Sequence, residues 1–377
     1  MTFRNVLTLS KAKSRIEKEI GRNRKGEESS EYPPLVTLYL EGYTHIDDDA
    51  AEVIGDVADE ICLPDVETIS PIAVQHLAQR AVELRLDGLK SLPEGVARSL
   101  RKFQGAVSFN GLTQISERDA HQLASIDVFC GGDRLHLEGL VELSEPVAKA
   151  LSRYPGFLIL DGIERISPAA AKHLSIGRIY FLSMNSLKDF SGSEGNEVAY
   201  WLGQKTEELS LRGINELPAS IAKHFSAGEG GLYLDGLDEG IPDDSAGLLS
   251  QRLGKLTLVG MKSMRESTAK ILSQKKSLLI LGLEDLPKEI AKHFGDHKGG
   301  LWFYSLKHLL DDAAEALSKH EGPLGFTALT RLSVKAAKAL SNCPGELRFD
   351  LDLLPPRVRE IIAQRESASR KSLETLK

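Results

Sequence analysis

Between about residues 35 and 355 one arrangement of apolar and polar positions recurs down the chain. LRLDGLKSLPEGVARSL, beginning at Leu84, returns as LHLEGLVELSEPVAKAL from Leu135, LILDGIERISPAAAKHL from Leu158 and LSLRGINELPASIAKHF from Leu209. Following its first position gives fourteen starts: Leu38, Ile61, Leu84, Val107, Leu135, Leu158, Leu182, Leu209, Leu232, Leu256, Leu278, Leu301, Leu324 and Leu347. Most steps are 22 to 24 residues; Val107 to Leu135 is 28 and Leu182 to Leu209 is 27. A fixed period of this size signals a stack of supersecondary units rather than two or three globular domains.

Each unit has two halves. The alternation of Leu84 and Leu86 has the period of a strand. Gly88 follows, with Gly111, Gly139, Gly162, Gly213, Gly236, Gly260 and Gly282 at the equivalent place, and is expected to let the chain turn sharply. The second half has helical spacing, with Ala97 and Leu100 on the inner face. Pro71, Pro168, Pro218 and Pro287 are expected at first helical positions, where a fixed φ and a missing N–H cost nothing. One such unit cannot bury its own apolar face, whereas a stack builds a continuous core.

The spacing L-x-L-x-x-L-x-x-[LI] followed by A-x-x-L resembles the leucine-rich-repeat superfamily and is nearest its cysteine-containing subclass. Leu89, Leu112, Leu140 and Leu237 stand where that subclass usually carries Cys and most others carry Asn. Without the usual side-chain hydrogen-bond ladder, leucine packing and glycine are expected to hold the turns. The expected fold is α/β: a right-handed leucine-rich-repeat solenoid with one parallel strand and a short helix per repeat, its hand following crossover chirality. Residues 1–34 read as a basic N-terminal helical cap (Leu9–Ile20) and a polar linker, 35–355 as the solenoid, and 356–377 as a C-terminal helical cap carrying Ile361, Ile362 and Leu373. The two long repeats carry insertions at 126–133 and 191–197, the second Gly/Ser-rich and read as a surface loop.

Composition narrows the function. The chain has 47 Lys and Arg against 54 Asp and Glu, a net charge of −7. Residues 1–26 hold eight basic side chains and only Glu17 and Glu19 as acids. The remainder is acidic and repels a phosphate backbone, so nucleic acid is not expected as a partner. No run reaches the roughly 18 apolar residues of a transmembrane span. Cys62, Cys130 and Cys343 are odd in number and scattered, which suits a reducing, cytoplasmic setting and excludes a disulfide framework. No metalloprotease, nucleophile-elbow or phosphate-loop motif occurs, and no catalytic residue, metal or cofactor is implied. His76, His173, His224 and His293 share one repeat position but fall in non-adjacent repeats, so they read as a packing or surface column.

Two surfaces remain. Glu41, Asp87, Glu138, Asp161 and Asp235 follow the second core residue of their repeats and form an acidic stripe on the concave face. Its carboxylates are expected to point outward and to be dispensable for folding. Tyr233, Leu279, Leu281, Trp302 and Tyr304 are expected to form an outward apolar and aromatic patch, of the kind that marks contacts. The resemblance implies a non-enzymatic scaffold that binds an unidentified protein through its concave face, as monomer or homodimer. The alternatives are a recognition subunit or effector whose catalytic activity lies in a partner, and a self-associating structural protein.

Overall fold

The computed structural model describes residues 5–23, 35–127 and 133–374, apart from the side chains of 20–23 and 366–374. The linker from 24 to 34, most of the first insertion with Cys130, and the Leu373 side chain lie outside the described residues. The chain forms two compact units, Met1–Asp189 and Phe190–Lys377.

Strand spacing follows the repeat. In the first unit the strands Thr37–Tyr39, Glu60–Cys62, Glu83–Arg85, Ala106–Ser108, Arg134–His136, Phe157–Ile159 and Phe181–Ser183 pair in chain order, all parallel. Their register aligns Leu38, Ile61, Leu84, Val107, Leu135, Leu158 and Leu182. In the second unit Glu208–Ser210, Leu232–Tyr233, Leu256–Leu258, Leu279–Leu281, Leu301–Phe303, Leu324–Phe326 and Leu347–Phe349 do the same. A helix follows almost every strand, such as Glu145–Leu151 after Arg134–His136. Each unit is therefore an α/β solenoid of the leucine-rich-repeat type.

One start is displaced. Leu256 pairs with Leu279, not Leu278, and Leu279 pairs with Leu301. The run Ser277–Leu278–Leu279–Ile280–Leu281 offers two alternating sets of apolar residues, and a slip of one exchanges the faces. Leu279, Leu281 and Leu283 are 0% exposed, so Leu279 and Leu281 are core residues rather than members of an outward patch. Ile280 takes the outward place instead, opposite Trp302.

The core is what the alternation requires. Leu84, Leu86, Leu89 and Leu100 are fully buried, and Ala97 nearly so. Full burial of each leucine contributes roughly 1.5–3 kcal/mol, so the gain per repeat comes from a few side chains repeated many times. Toward the end of the second unit the ladder turns aromatic. Phe303 stacks on Phe326 with ring centroids 5.5 Å apart, and Phe326 on Phe349 at 5.2 Å.

Helix starts follow local chemistry. Ser70, Ser116, Ser167 and Ser333 cap their helices, each accepting from the amide three residues on, which satisfies one orphan donor. Pro71 and Pro168 are first helical residues as expected. Pro218 and Pro287 instead stand one place earlier, as the capping residues. The 191–197 insertion is not a loop: Gly192–Gly203 is a 12-residue helix, its extra turn absorbing the added length while Val198, Ala199 and Leu202 are buried.

The first repeat of the first unit and the last repeat of the second are each covered by a helix. The helix Leu9–Asn23 turns Ala12 and Ile16 inward near the helix Asp48–Gly55, and Val6–Leu7 pairs with His45–Ile46. The helix Pro356–Glu374 packs on Val334–Leu340 through Val358 and Ile362, and Ile361 is half-buried. Among the described residues no helix is long and apolar enough to cross a membrane. Removing everything after Pro356 should lower the melting temperature and expose apolar surface, because the last repeat loses its cover. Ile362→Ala alone should cost about 2 kcal/mol or more; thermal melts of the three chains check this, with equal midpoints as the contrary result.

Candidate functional site

The sheet face of the first unit is polar, and Asp87 and Asp161 on it are engaged. An Asp87 carboxylate oxygen accepts the Asn110 amide at 2.8 Å and also the Ser108 hydroxyl. Asn110 Oδ1 accepts the Glu138 amide at 3.0 Å. Asp161 accepts the Ser183 hydroxyl at 2.6 Å, the Asn185 amide at 3.0 Å and the Asn185 side-chain amide at 2.8 Å. In the second unit Asp235 accepts the Val259 amide at 2.9 Å and pairs with Arg212 at 2.9 Å. At these four turns the residue before the glycine (Asp87, Asn110, Asp161 or Asp235) thus reaches the backbone of the next repeat. This is a hydrogen-bond ladder, supplied two positions before Leu89, Leu112, Ile163 and Leu237.

The acidic stripe is therefore structural at Asp87, Asp161 and Asp235. Glu138 is held differently, beside His136 Nδ1 at 3.0 Å, and Glu41 is exposed. Among the described residues no group of three or more His, Cys, Asp or Glu could hold a metal ion. Small Ala106 and Ser108 leave a shallow depression of about 230 Å³ between Arg85 and His136. The four recurrent histidines lie at the surface; His173 faces Glu145 at 3.4 Å and His293 faces Glu266 at 3.2 Å.

The second unit presents rings instead. Tyr233 is half-buried and pinned by Lys255, whose ammonium donates to the tyrosine hydroxyl at 2.6 Å and pairs with Glu208 at 2.9 Å. The Arg212 guanidinium lies 5.6 Å from the same ring. Two strands on, Ile280 and Trp302 sit side by side, and Tyr304 is 54% exposed. The six-membered ring of Trp302 covers Gly325 of the neighbouring strand so closely that a Cβ there would lie 1.9 Å from Cε3. The indole is thereby supported from below by backbone. Of the five residues expected in the patch, Tyr233, Trp302 and Tyr304 face outward; Ile280 replaces the two core leucines.

A second column carries no sequence motif. Lys205, Arg252, Lys275, His297 and His320 are buried, each four residues before the first core leucine of its repeat. Arg252 donates to the Gly230 carbonyl at 2.9 Å and to that of Phe225, and Lys275 donates to the Arg252 carbonyl. His297 Nδ1 lies 3.0 Å from the Ser273 carbonyl and its Nε2 3.3 Å from that of Gly300, and His320 Nδ1 lies 3.1 Å from the Phe294 carbonyl. Cys343 Sγ meets the Leu317 carbonyl at 3.4 Å, and Arg365 donates to the Cys343 carbonyl at 2.8 Å. The carbonyls of Phe225, Ser273, Phe294 and Leu317 lie at helix C-termini, where no intrahelical donor remains. The donors therefore bind each helix end to the next repeat. Burial draws both Lys205 and Lys275 down to about 8, the Arg252 charge assisting at Lys275.

No family model matches the sequence, and no curated protein matches it. Among solved structures, the chain is similar to one from the Toll–Spatzle complex of Drosophila, at 13% identity and a TM-score of 0.42. That match covers 84% of this chain and 43% of the other, so the present chain spans less than half of its length. The fold assignment rests on the strand register and helix placement described above.

Two predictions follow from these ladders. Asp161→Ala should destabilise by about 1–3 kcal/mol, since it leaves half-buried donors unmet, whereas Glu41→Ala should change stability by about 0.5 kcal/mol or less. Chemical denaturation of both variants checks this, and equal small effects would contradict it. The buried lysines set a pH dependence. Their folded values lie below the ordinary 10.5, so the unfolded chain binds more protons between about pH 8 and 10.5 and stability rises across that window. Denaturant midpoints at pH 7.5 and 9.5 should increase, less so in Lys275→Met; a flat wild-type profile would be the contrary result.

Proposed function

We propose that the chain is a non-enzymatic protein-binding scaffold whose contact surface is the ring-bearing sheet face of the second unit. One observation carries this reading: Trp302 lies supported on Gly325 beside Ile280 and the exposed Tyr304. A rigid aromatic row loses little freedom on binding and buries large area, which is how interface anchors act. The neighbouring Lys255, Arg212 and Glu208 supply a polar rim. Four polar positions beside the sheet, Asp87, Asn110, Asp161 and Asp235, are committed to the inter-repeat ladder. Self-association through the same row is the second reading, favoured by the same exposed Tyr304.

Trp302→Ala with Tyr304→Ala should fold normally and lose partner capture, or lose self-association, with a cost of about 2 kcal/mol or more for an anchor ring. Gly325→Ala tests the same surface without removing a ring, because its Cβ displaces the indole. Affinity capture and sedimentation of wild type and both variants, at matched thermal stability, measure the effect. Capture and association states unchanged in the double variant would refute the assignment.

A further inference from the structure

The helix side of the first unit has a gap. Where the other repeats of that unit carry helices of seven or more residues, Val96–Ser99 is a single turn. The segment before it is spent on a turn at Glu94 and Gly95, closed by the Val96 amide donating to the Pro93 carbonyl at 3.2 Å, with Gly95 at φ +89° facing Pro71. The shortened helix leaves a cleft of about 660 Å³ against the preceding helix, Pro71–Leu77, walled by Pro71 and Ile72 and edged by Arg98, Arg101 and Lys102. A second cleft of about 430 Å³ adjoins it, sharing Arg98 and Arg101 and adding His121, Gln122 and Ser125. Both volumes fall in the range of small-molecule sites, roughly 300–1,000 Å³.

The lining charge is one-sided. Among the described residues neither cleft is lined by an Asp or Glu, in a chain whose net charge is −7. Arg98, Arg101 and Lys102 are exposed, and among the described residues none has an ion pair or a side-chain hydrogen bond. This sets them apart from Arg252 and Lys275, whose charges are turned onto helix-end carbonyls. Nearby acids are occupied or aside: Glu94 pairs with Arg118 at 3.1 Å, and Asp119 bonds Ser116 at 2.6 Å. Asp127 donates its amide to the Arg101 carbonyl at 2.9 Å, but it lines neither cleft. Arg153 extends the cationic edge, 3.5 Å from the His121 ring.

We propose that these clefts form an anion site for a phosphate-bearing ligand with an apolar body. Two free guanidiniums suit a doubly charged, three-oxygen group, since each can bind phosphate through parallel N–H donors. A lone carboxylate would match only one of them. Ile72, 54% exposed, and Pro71 provide the apolar wall for the remainder of the ligand. A free phosphomonoester and a phospholipid headgroup share this chemistry. The site is separate from the ring-bearing face and does not depend on that reading.

The test uses the full chain and two probes, 1-naphthyl phosphate in calorimetry and vesicles of phosphatidylcholine with phosphatidic acid in co-sedimentation. Binding of either probe should fall at least about tenfold in Arg98→Ala/Arg101→Ala and weaken with added salt. It should persist in Arg118→Ala, whose charge is already paired. Response to naphthyl phosphate alone assigns a soluble ligand, and response to vesicles alone assigns a lipid headgroup. 1-Naphthol and pure phosphatidylcholine should not bind. Thermal melts confirm that the variants fold, and Arg98→Lys/Arg101→Lys, which keeps the charge without the planar fork, should retain intermediate affinity. Absence of binding to both probes at millimolar concentration, or binding that survives the double alanine change, overturns the proposal.

Discussion

The closeness with which successive turns stack governs this protein. A Cβ at Gly162 would lie 1.9 Å from the Glu138 carbonyl oxygen, and one at Gly260 would lie 1.8 Å from that of Asp235. Neither glycine has a positive φ, so the glycine at the strand end is required by close approach of backbone rather than by a left-handed turn. Once the turns touch, the strands must pair in register and the leucines must superimpose. Asp87, Asn110, Asp161 and Asp235, each just before such a glycine, are then held within reach of the next repeat's amide. Core, sheet and side-chain ladder all follow from that one contact distance.

The same constraint divides polar chemistry between tasks. On the sheet face, Asp87, Asp161 and Asp235 serve the neighbouring backbone, and each is thereby withdrawn from ligand chemistry. Inside the second unit, buried basic side chains serve the helix ends, at a desolvation cost reflected in the lowered lysine values. A donor there is cheaper than an unmet carbonyl, because an unsatisfied buried polar group costs about 1–3 kcal/mol. Among the described residues left outside these tasks are the Trp302 and Tyr304 rings on one face, and the Arg98, Arg101 and Lys102 cations beside a shortened helix. Exposed groups with no structural duty are where binding can be sought.

Much of the fold was legible in the sequence because leucine periodicity is redundant. Thirteen of the fourteen strand starts agree with the observed register, and a single error could not propagate when each repeat carries its own signal. The error arose at Leu278, where four consecutive apolar residues satisfy both phases. It moved Leu279 and Leu281 to the wrong face while leaving Trp302 and Tyr304 on the right one. The Gly192–Gly203 helix was misread because Gly and Ser suggest a loop, whereas burial of Val198, Ala199 and Leu202 decides in favour of helix. The buried basic column looked like ordinary surface charge. Its signal was a constant offset of four residues before each core leucine, which Lys275 joins once the Leu279 register is corrected. The basic cleft was not legible, since it depends on the missing length of one helix.

The claim that polar sheet-face residues are committed to joining repeats is most directly tested by amide hydrogen exchange. The backbone amides of Asn110, Glu138, Asn185 and Val259 donate to side chains of the preceding repeat at 2.8–3.0 Å. They should be protected to nearly the level of the strand amides, although they lie beyond the strand ends on an open face. The amide of exposed Glu41, with no such acceptor, should exchange quickly. Protection at those four positions, lost at Asn185 alone when Asp161 is changed to alanine, is the predicted result. Exchange there as fast as at Glu41 would contradict the account.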